Sequence, residues 1–115
     1  MVPRLRAFDE VWSADGQKLG VARCLHYRPE EQVDIGTQLY PVYLEVESFE
    51  LGDDFFIPVH LLEGRDPVGD RVTVALKLKA IMNRTLNRMP DFVAKMESRV
   101  EMLPRELDEE VVDVE

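Results

Sequence analysis

The sequence predicts a mainly β protein: a small antiparallel β-barrel of five to six strands, followed by a C-terminal amphipathic helix and an acidic tail. Two stretches, 40–47 and 72–79, alternate apolar and polar side chains, the period that puts one face of a strand in a core. The pair Asp15-Gly16 between apolar stretches is typical of a hairpin, because glycine adopts the positive φ that the turn requires. After Pro90, apolar residues recur at the three- and four-residue steps of a helix.

Five strands with short connections are predicted, over residues 5–14, 18–27, 40–47, 55–62 and 72–79. No helical pattern separates them, which indicates an antiparallel barrel or sandwich. Closure into a barrel would also remove the exposed strand edges that invite aggregation. Pro58 has no N–H for a sheet ladder, so the fourth strand is expected at an edge or a bulge.

The chain is expected to divide into a barrel over 1–89, a helix over 90–104 and a flexible acidic tail over 105–115. Pro90 and Asp91 suit the first turn of the helix, and Pro104 ends it. Its apolar stripe consists of Phe92, Val93, Met96, Val100 and Leu103. This stripe is expected to pack on the barrel of the same chain, to plug the mouth of the barrel, or to dock on a second copy.

Charge and hydropathy disfavour several classes of partner. The 115 residues carry a net charge of −9, and the sequence pI is about 4.7, which argues against a nucleic-acid partner. No apolar run approaches the roughly 20 residues of a membrane helix, and no secretory leader is recognisable. We therefore expect a cytoplasmic protein without membrane insertion.

The candidate catalytic and metal-binding residues each have a simpler interpretation. Cys24, the only cysteine, is read as a small residue packed in a strand, since no base or orienting group stands at a suitable spacing. His26 and His60 form either a shared metal or acid–base site, or ordinary surface or core positions; we expect the latter. Glu45 and Glu47 are assigned to the solvated face of the third strand. No catalytic residue, metal or cofactor is predicted.

Several segments resemble PRC-barrel domains. Residues 11–21, Val-Trp-Ser-Ala-Asp-Gly-Gln-Lys-Leu-Gly-Val, are similar to the family's opening strand, Asp-Gly turn and Leu-Gly pair. Residues 43–46, 56–59 and 72–78 are similar to its third, fourth and closing strands. The resemblance covers roughly residues 6–90. It implies a docking or scaffold barrel and not a catalyst. Because the family includes a ribosome-maturation factor, an RNA- or ribosome-associated role follows from the resemblance alone.

The function expected from these observations is a non-enzymatic protein–protein interaction, scaffold or adaptor module, with a second copy of the chain among its partners. The alternative is a small-ligand-binding barrel or minor enzyme with a cleft near His60 or His26. Apolar side chains without an assigned cover form the candidate interaction surface: Trp12, Tyr43, Phe56, Phe92, Met96, Val100 and Leu103.

Overall fold

The computed structural model describes residues 4–30, 40–49, 51–66 and 71–105. Within these ranges a seven-stranded sheet is formed by β1 (Glu10–Trp12), β2 (Lys18–Tyr27), β3 (Val42–Glu47), β4 (Asp54–Pro58), β5 (Leu62–Arg65), β6 (Arg71–Val74) and β7 (Arg99–Met102). The short helical elements are a 3₁₀ turn (Val59–Leu61), α1 (Leu78–Asn83) and α2 (Asp91–Ala94). None of the helices in these ranges has the length and apolar composition that crossing a bilayer requires.

The sheet is mixed and does not close into a barrel. Its strand order is β4-β3-β2-β1-β6-β5, with β7 on β2. The pairs are antiparallel except β1 with β6, which run parallel because the chain returns beside β1 after the β5–β6 hairpin. The mainly β class is confirmed, but the closed antiparallel barrel is wrong. The terminal strands of the order, β4 and β5, follow each other through the 3₁₀ turn and do not pair.

One apolar cluster, the main core, covers one face of the sheet. Its fully buried members come from β1 to β4, from β6 and from α1: Val11, Leu19, Ala22, Leu44, Val46, Phe55, Ile57, Val72, Val74 and Ile81. Alternation along β3 directs Leu44 and Val46 into this core, as the period of two predicts. Burying each large aliphatic or aromatic side chain here contributes roughly 1.5–3 kcal/mol.

The predicted first, fourth and fifth strands are shorter than their apolar runs. Strand β1 spans three residues, and the chain before it bends at Phe8, where φ is 71°. The 55–62 run divides at Pro58, which ends β4 at the sheet edge where a missing N–H is tolerated. The chain re-enters the sheet at Leu62 as β5, in a stretch predicted to be mostly a loop.

Helix α1 replaces the second half of the predicted 72–79 strand. Strand β6 ends at Val74, and α1 begins at Leu78 and buries Ile81. The N–H of Leu78 donates to the Asp15 carboxylate at 3.0 Å, so the β1–β2 turn caps a helix that lies far along the chain. Hydrogen bonds from the Ser13 hydroxyl and this N–H lower the pKa of Asp15.

The predicted helix over 90–104 is wrong beyond its first turn. Helix α2 has four residues, and the chain then forms β7 along β2. Met96 takes a left-handed φ of 60°, and its N–H bonds to Val93 O while Glu97 N–H bonds to Phe92 O. This is the Schellman arrangement that ends a helix. Residues 90–104 are thus part of the sheet domain; of the predicted tail, 106–115 lie outside the described residues.

Two glycines are expected to respond very differently to substitution by alanine. A Cβ on Gly20 would stand 2.1 Å from the backbone oxygen of Glu47, whereas a Cβ on Gly16 meets no atom within 4 Å. We expect Gly20→Ala to lower the free energy of unfolding by about 3 kcal/mol. Gly16→Ala should cost about 1 kcal/mol, because its φ is +80°. Urea denaturation of the two variants measures the difference, and equal losses would contradict the close approach at Gly20.

The left-handed conformation at Met96 predicts a stabilising substitution. Met96→Gly should raise the free energy of unfolding by about 0.5 kcal/mol, since release of the left-handed strain exceeds glycine's entropic cost. The Met96 side chain is 89% exposed, so its loss removes little packing. Met96→Ala keeps the strain and serves as the control. A gain shared by the alanine variant would argue against the strain as its source.

Candidate functional site

A β-bulge in β2 decides which side chains reach the outer face of the sheet, the face opposite the main core. Ala22 lies opposite Val46 on β3, but Cys24 lies opposite Glu45. Two residues of β2 thus oppose one of β3, with Arg23 as the extra residue. Such a bulge shifts the alternation of the strand by one position and re-aims every side chain after it.

This register shift turns the side chains of Cys24 and His26 to the outer face. Before the bulge the even-numbered Ala22 belongs to the main core, and after it the odd-numbered Leu25 packs against that core. Cys24 and His26 consequently lie on the outer face, and both are buried there. Their cross-strand neighbours on β3 are Glu45 and Tyr43 respectively.

Three side chains of different chemistry converge at this point, the outer cluster of Cys24, His26 and Glu45. The Nε2 atom of His26 is 2.6 Å from Oε1 of Glu45 and 3.5 Å from Sγ of Cys24. The Cys24 thiol donates to the same Glu45 oxygen at 3.6 Å. A thiol, an imidazole nitrogen and a carboxylate oxygen thus lie within 4.8 Å of one another, and all three are zinc-ligand types.

The segment between α2 and β7 covers the outer cluster from one side. Ser98 Oγ lies 3.1 Å from Nδ1 of His26, which fixes the imidazole ring from the opposite side to Glu45. Beside it lies a second core of Tyr43, Phe56 and Phe92, in which the Phe56 ring is 6.0 Å from that of His26. The outer cluster therefore has an aromatic ring beside His26, and its most exposed member is Glu45.

The environment of the cluster disfavours a free thiolate. Burial raises the pKa of the Cys24 thiol to about 11, and the nearby Glu45 carboxylate adds to the rise. Burial and the carboxylates of Glu45 and Glu47 also raise the pKa of Asp54 at the edge of the same face. Glu47 in turn forms an ion pair with Arg23. The site is hence acidic in character, with one arginine beside it.

This geometry does not match a nucleophilic triad. In a triad the nucleophile and the orienting carboxylate bind opposite nitrogens of the histidine. Here Cys24 and Glu45 both approach Nε2, and Ser98 takes Nδ1. A thiol with a raised pKa is also a poor nucleophile near neutral pH. Three ligand atoms within 4.8 Å of one another are instead compatible with a metal ion.

The residues of the predicted interaction surface divide into buried, half-buried and exposed groups. Tyr43, Phe56 and Phe92 are buried in the second core, and Leu103 packs half-buried against the main core. Trp12 is half-buried, with the Arg71 guanidinium 3.8 Å from its ring centre. Met96 and Val100 are exposed. Of the two histidines, His26 belongs to the outer cluster, while the exposed His60 lies with its ring 4.8 Å from that of Tyr40.

A second feature is the free edge of β7. Among the described strands β7 pairs only with β2, and all four of its residues are exposed. Val100 and Met102 are apolar, and Met102 shares a cleft with Phe8. Phe8 is 60% exposed although its positive φ is costly for an aromatic residue. We refer to β7 with Phe8 as the β7 edge.

Sequence reasoning missed both features for an identifiable reason. Cys24 and His26 stand two apart, which puts them on one face of a strand, but the bulge that decides which face has no signature in the sequence. The β7 edge was concealed by apolar spacing that also fits a helix.

No protein-family model matches the chain, and neither a curated protein nor a solved structure does. The PRC-barrel resemblance accordingly stays a prediction.

The raised pKa predicts a slow and strongly pH-dependent alkylation of Cys24. At pH 8 the iodoacetamide rate of the folded, EDTA-treated protein should be about 100-fold below that of the urea-unfolded chain, because thiolate is the reacting form. The difference between the two alkylation rates should decrease as the pH approaches the folded-state pKa of about 11. Equal rates at pH 8 would instead identify a poised thiolate next to His26.

Proposed function

We propose that this protein is a protein–protein interaction module that docks through the β7 edge, and that its first partner is a second copy of the same chain. The observation that carries the proposal is the outer edge of β7, which no strand in the described part of the chain pairs, and which has apolar side chains on one face. A row of free N–H and C=O groups is a template for a further strand, unless charge, proline or a covering segment blocks it.

Symmetry restricts how two β7 strands can pair. In an antiparallel ladder every second residue of a strand points its N–H and C=O groups toward the same neighbour. When two copies of one strand pair, directly opposed residues are therefore both even-numbered or both odd-numbered. A two-fold axis through Val100 sets Val100 against its own copy and Arg99 against Glu101 of the partner. An axis through Glu101 would set two carboxylates against each other. The charges thus favour the register centred on Val100.

The side chains that this register needs are already on one face. The Arg99 guanidinium lies 3.9 Å from the ring centre of Tyr27, and the Tyr27 hydroxyl donates to Glu101 at 2.7 Å. Arg99 and Glu101 therefore project to the same side of β7. Two symmetric Arg99–Glu101 pairs would each contribute about 0.2–1 kcal/mol across the strands.

The exposed apolar groups would add to the contact. Val100 and Met102 project from the other face of β7, and Met102 is 66% exposed. Phe8 stands near the end of β7, where Ala7 N–H bonds to Pro104 O at 2.7 Å. Four-residue strands bury little area, so the dimer belongs with small, weak interfaces. Its dissociation constant is expected on the order of tens of micromolar.

A charge-swap series tests the register. Light scattering or sedimentation of the full chain across a concentration series should show a monomer–dimer equilibrium. Arg99→Glu sets like charges opposite each other twice and should weaken dimerisation about tenfold or more. Glu101→Arg should do the same, and the double variant Arg99→Glu/Glu101→Arg should recover the dimer, because opposite charges again face each other.

The control separates this pairing from a general effect of charge. Lys95→Glu changes the net charge as Arg99→Glu does, at an exposed position before β7, and should leave the equilibrium unchanged. A monomer at every concentration would overturn self-association through this edge. A dimer that ignores the swaps, or a double variant that fails to recover, would place the interface elsewhere.

A further inference from the structure

We infer that the outer cluster of Cys24, His26 and Glu45 is a binding site for a zinc-like divalent cation, with Sγ, Nε2 and Oε1 as ligand atoms. The inference rests on side chains other than those that carry the β7 pairing, and either can fail without the other. It rests on the meeting of three ligand types, a thiol, an imidazole nitrogen and a carboxylate oxygen, within 4.8 Å of one another.

Two of the three ligand-to-ligand distances already fit. For zinc–sulfur bonds of about 2.3 Å and zinc–nitrogen or zinc–oxygen bonds of about 2.0–2.1 Å, a tetrahedron has edges of about 3.6 Å to sulfur and about 3.3 Å between nitrogen and oxygen. The Sγ–Nε2 and Sγ–Oε1 distances are 3.5 and 3.6 Å. The third, Nε2–Oε1, is a hydrogen bond of 2.6 Å and must widen by roughly 0.7 Å to reach such an edge.

The Nε2–Oε1 distance can widen through movement of the Glu45 side chain. Cys24 and His26 are buried, but the Glu45 side chain is 20% exposed and can rotate toward solvent. A cation would replace the hydrogen bond that now joins Nε2 to Oε1, bridging the same two atoms at a longer distance. Three protein ligands leave a fourth tetrahedral position for water, as in zinc sites that retain an open position.

Charge and the surrounding contacts support a cation at this point. A coordinated thiolate and the Glu45 carboxylate together balance a doubly charged ion. Asp54 on the same face adds negative potential, whereas the Glu47 carboxylate is paired with Arg23 and its charge is largely compensated. Ser98 Oγ holds Nδ1 of His26, the outer contact that orients a metal-binding imidazole and leaves Nε2 to the ion.

Cobalt substitution tests the site directly. The full chain, stripped with EDTA, is titrated with Co²⁺ and then with Zn²⁺. We expect one equivalent of Co²⁺ to produce a thiolate-to-metal charge-transfer band with the intense visible absorption of a tetrahedral centre, and Zn²⁺ to abolish both. Zinc should also protect Cys24 from alkylation. These two measurements need no substitution, so they remain decisive if a variant fails to fold.

Variants then assign the ligands. Cys24→Ala should remove the charge-transfer band, and Glu45→Gln should weaken Zn²⁺ binding about 100-fold or more, beyond the usual effect of a supporting residue. Glu47→Gln, on the same strand and face, is the matched control and should shift affinity less than about threefold. Absence of a band in the wild-type protein, its persistence in Cys24→Ala, or equal losses in Glu45→Gln and Glu47→Gln would each overturn the assignment.

Discussion

The bulge between Ala22 and Cys24 is the constraint on which both faces of the sheet depend. Strand β2 spans ten residues and pairs with β3 on one side and with β1 and β7 on the other. Without the extra residue, its alternation would send a thiol and an imidazole into the main core and Leu25 to the surface. The bulge keeps the core apolar on both sides of the irregularity, and Cys24 and His26 emerge beside Glu45.

Some of this architecture follows from local sequence, and some does not. The alternation of β3 and the Asp15-Gly16 turn were predictable, because each depends on residues that are neighbours in the chain. The parallel β1–β6 pair, the open sheet and the cap from Asp15 to Leu78 depend on residues far apart in the chain. No period or turn residue encodes such contacts. The outer cluster could not be predicted for the same reason, because it depends on the register of β2 on β3.

The segment after Pro90 shows how tertiary pairing overrides a helical pattern. Phe92 and Val93 are used as a helix would use them, against Tyr43 and Phe56. A four-residue helix has little stability of its own, and β2 offers an unpaired edge beyond the point where β1 leaves it. By pairing with β2 there, the four residues of β7 form a full ladder of backbone hydrogen bonds, at the cost of a left-handed residue at Met96. The helical spacing of apolar residues therefore corresponds to a helix only before Met96.

The β7 edge and the outer cluster meet across a single strand pair. Val100 lies opposite His26 and Met102 opposite Cys24, while Ser98 holds the far nitrogen of the same imidazole. A shift of the His26 ring would therefore change its hydrogen bond to Ser98, next to the start of β7, and a strand added to β7 would restrain Ser98 in return. Any free energy exchanged between the two sites is reciprocal, because coupling between sites acts equally in both directions. The length of the path is one hydrogen bond and one cross-strand pair, which makes β2 the element through which each site would sense the other.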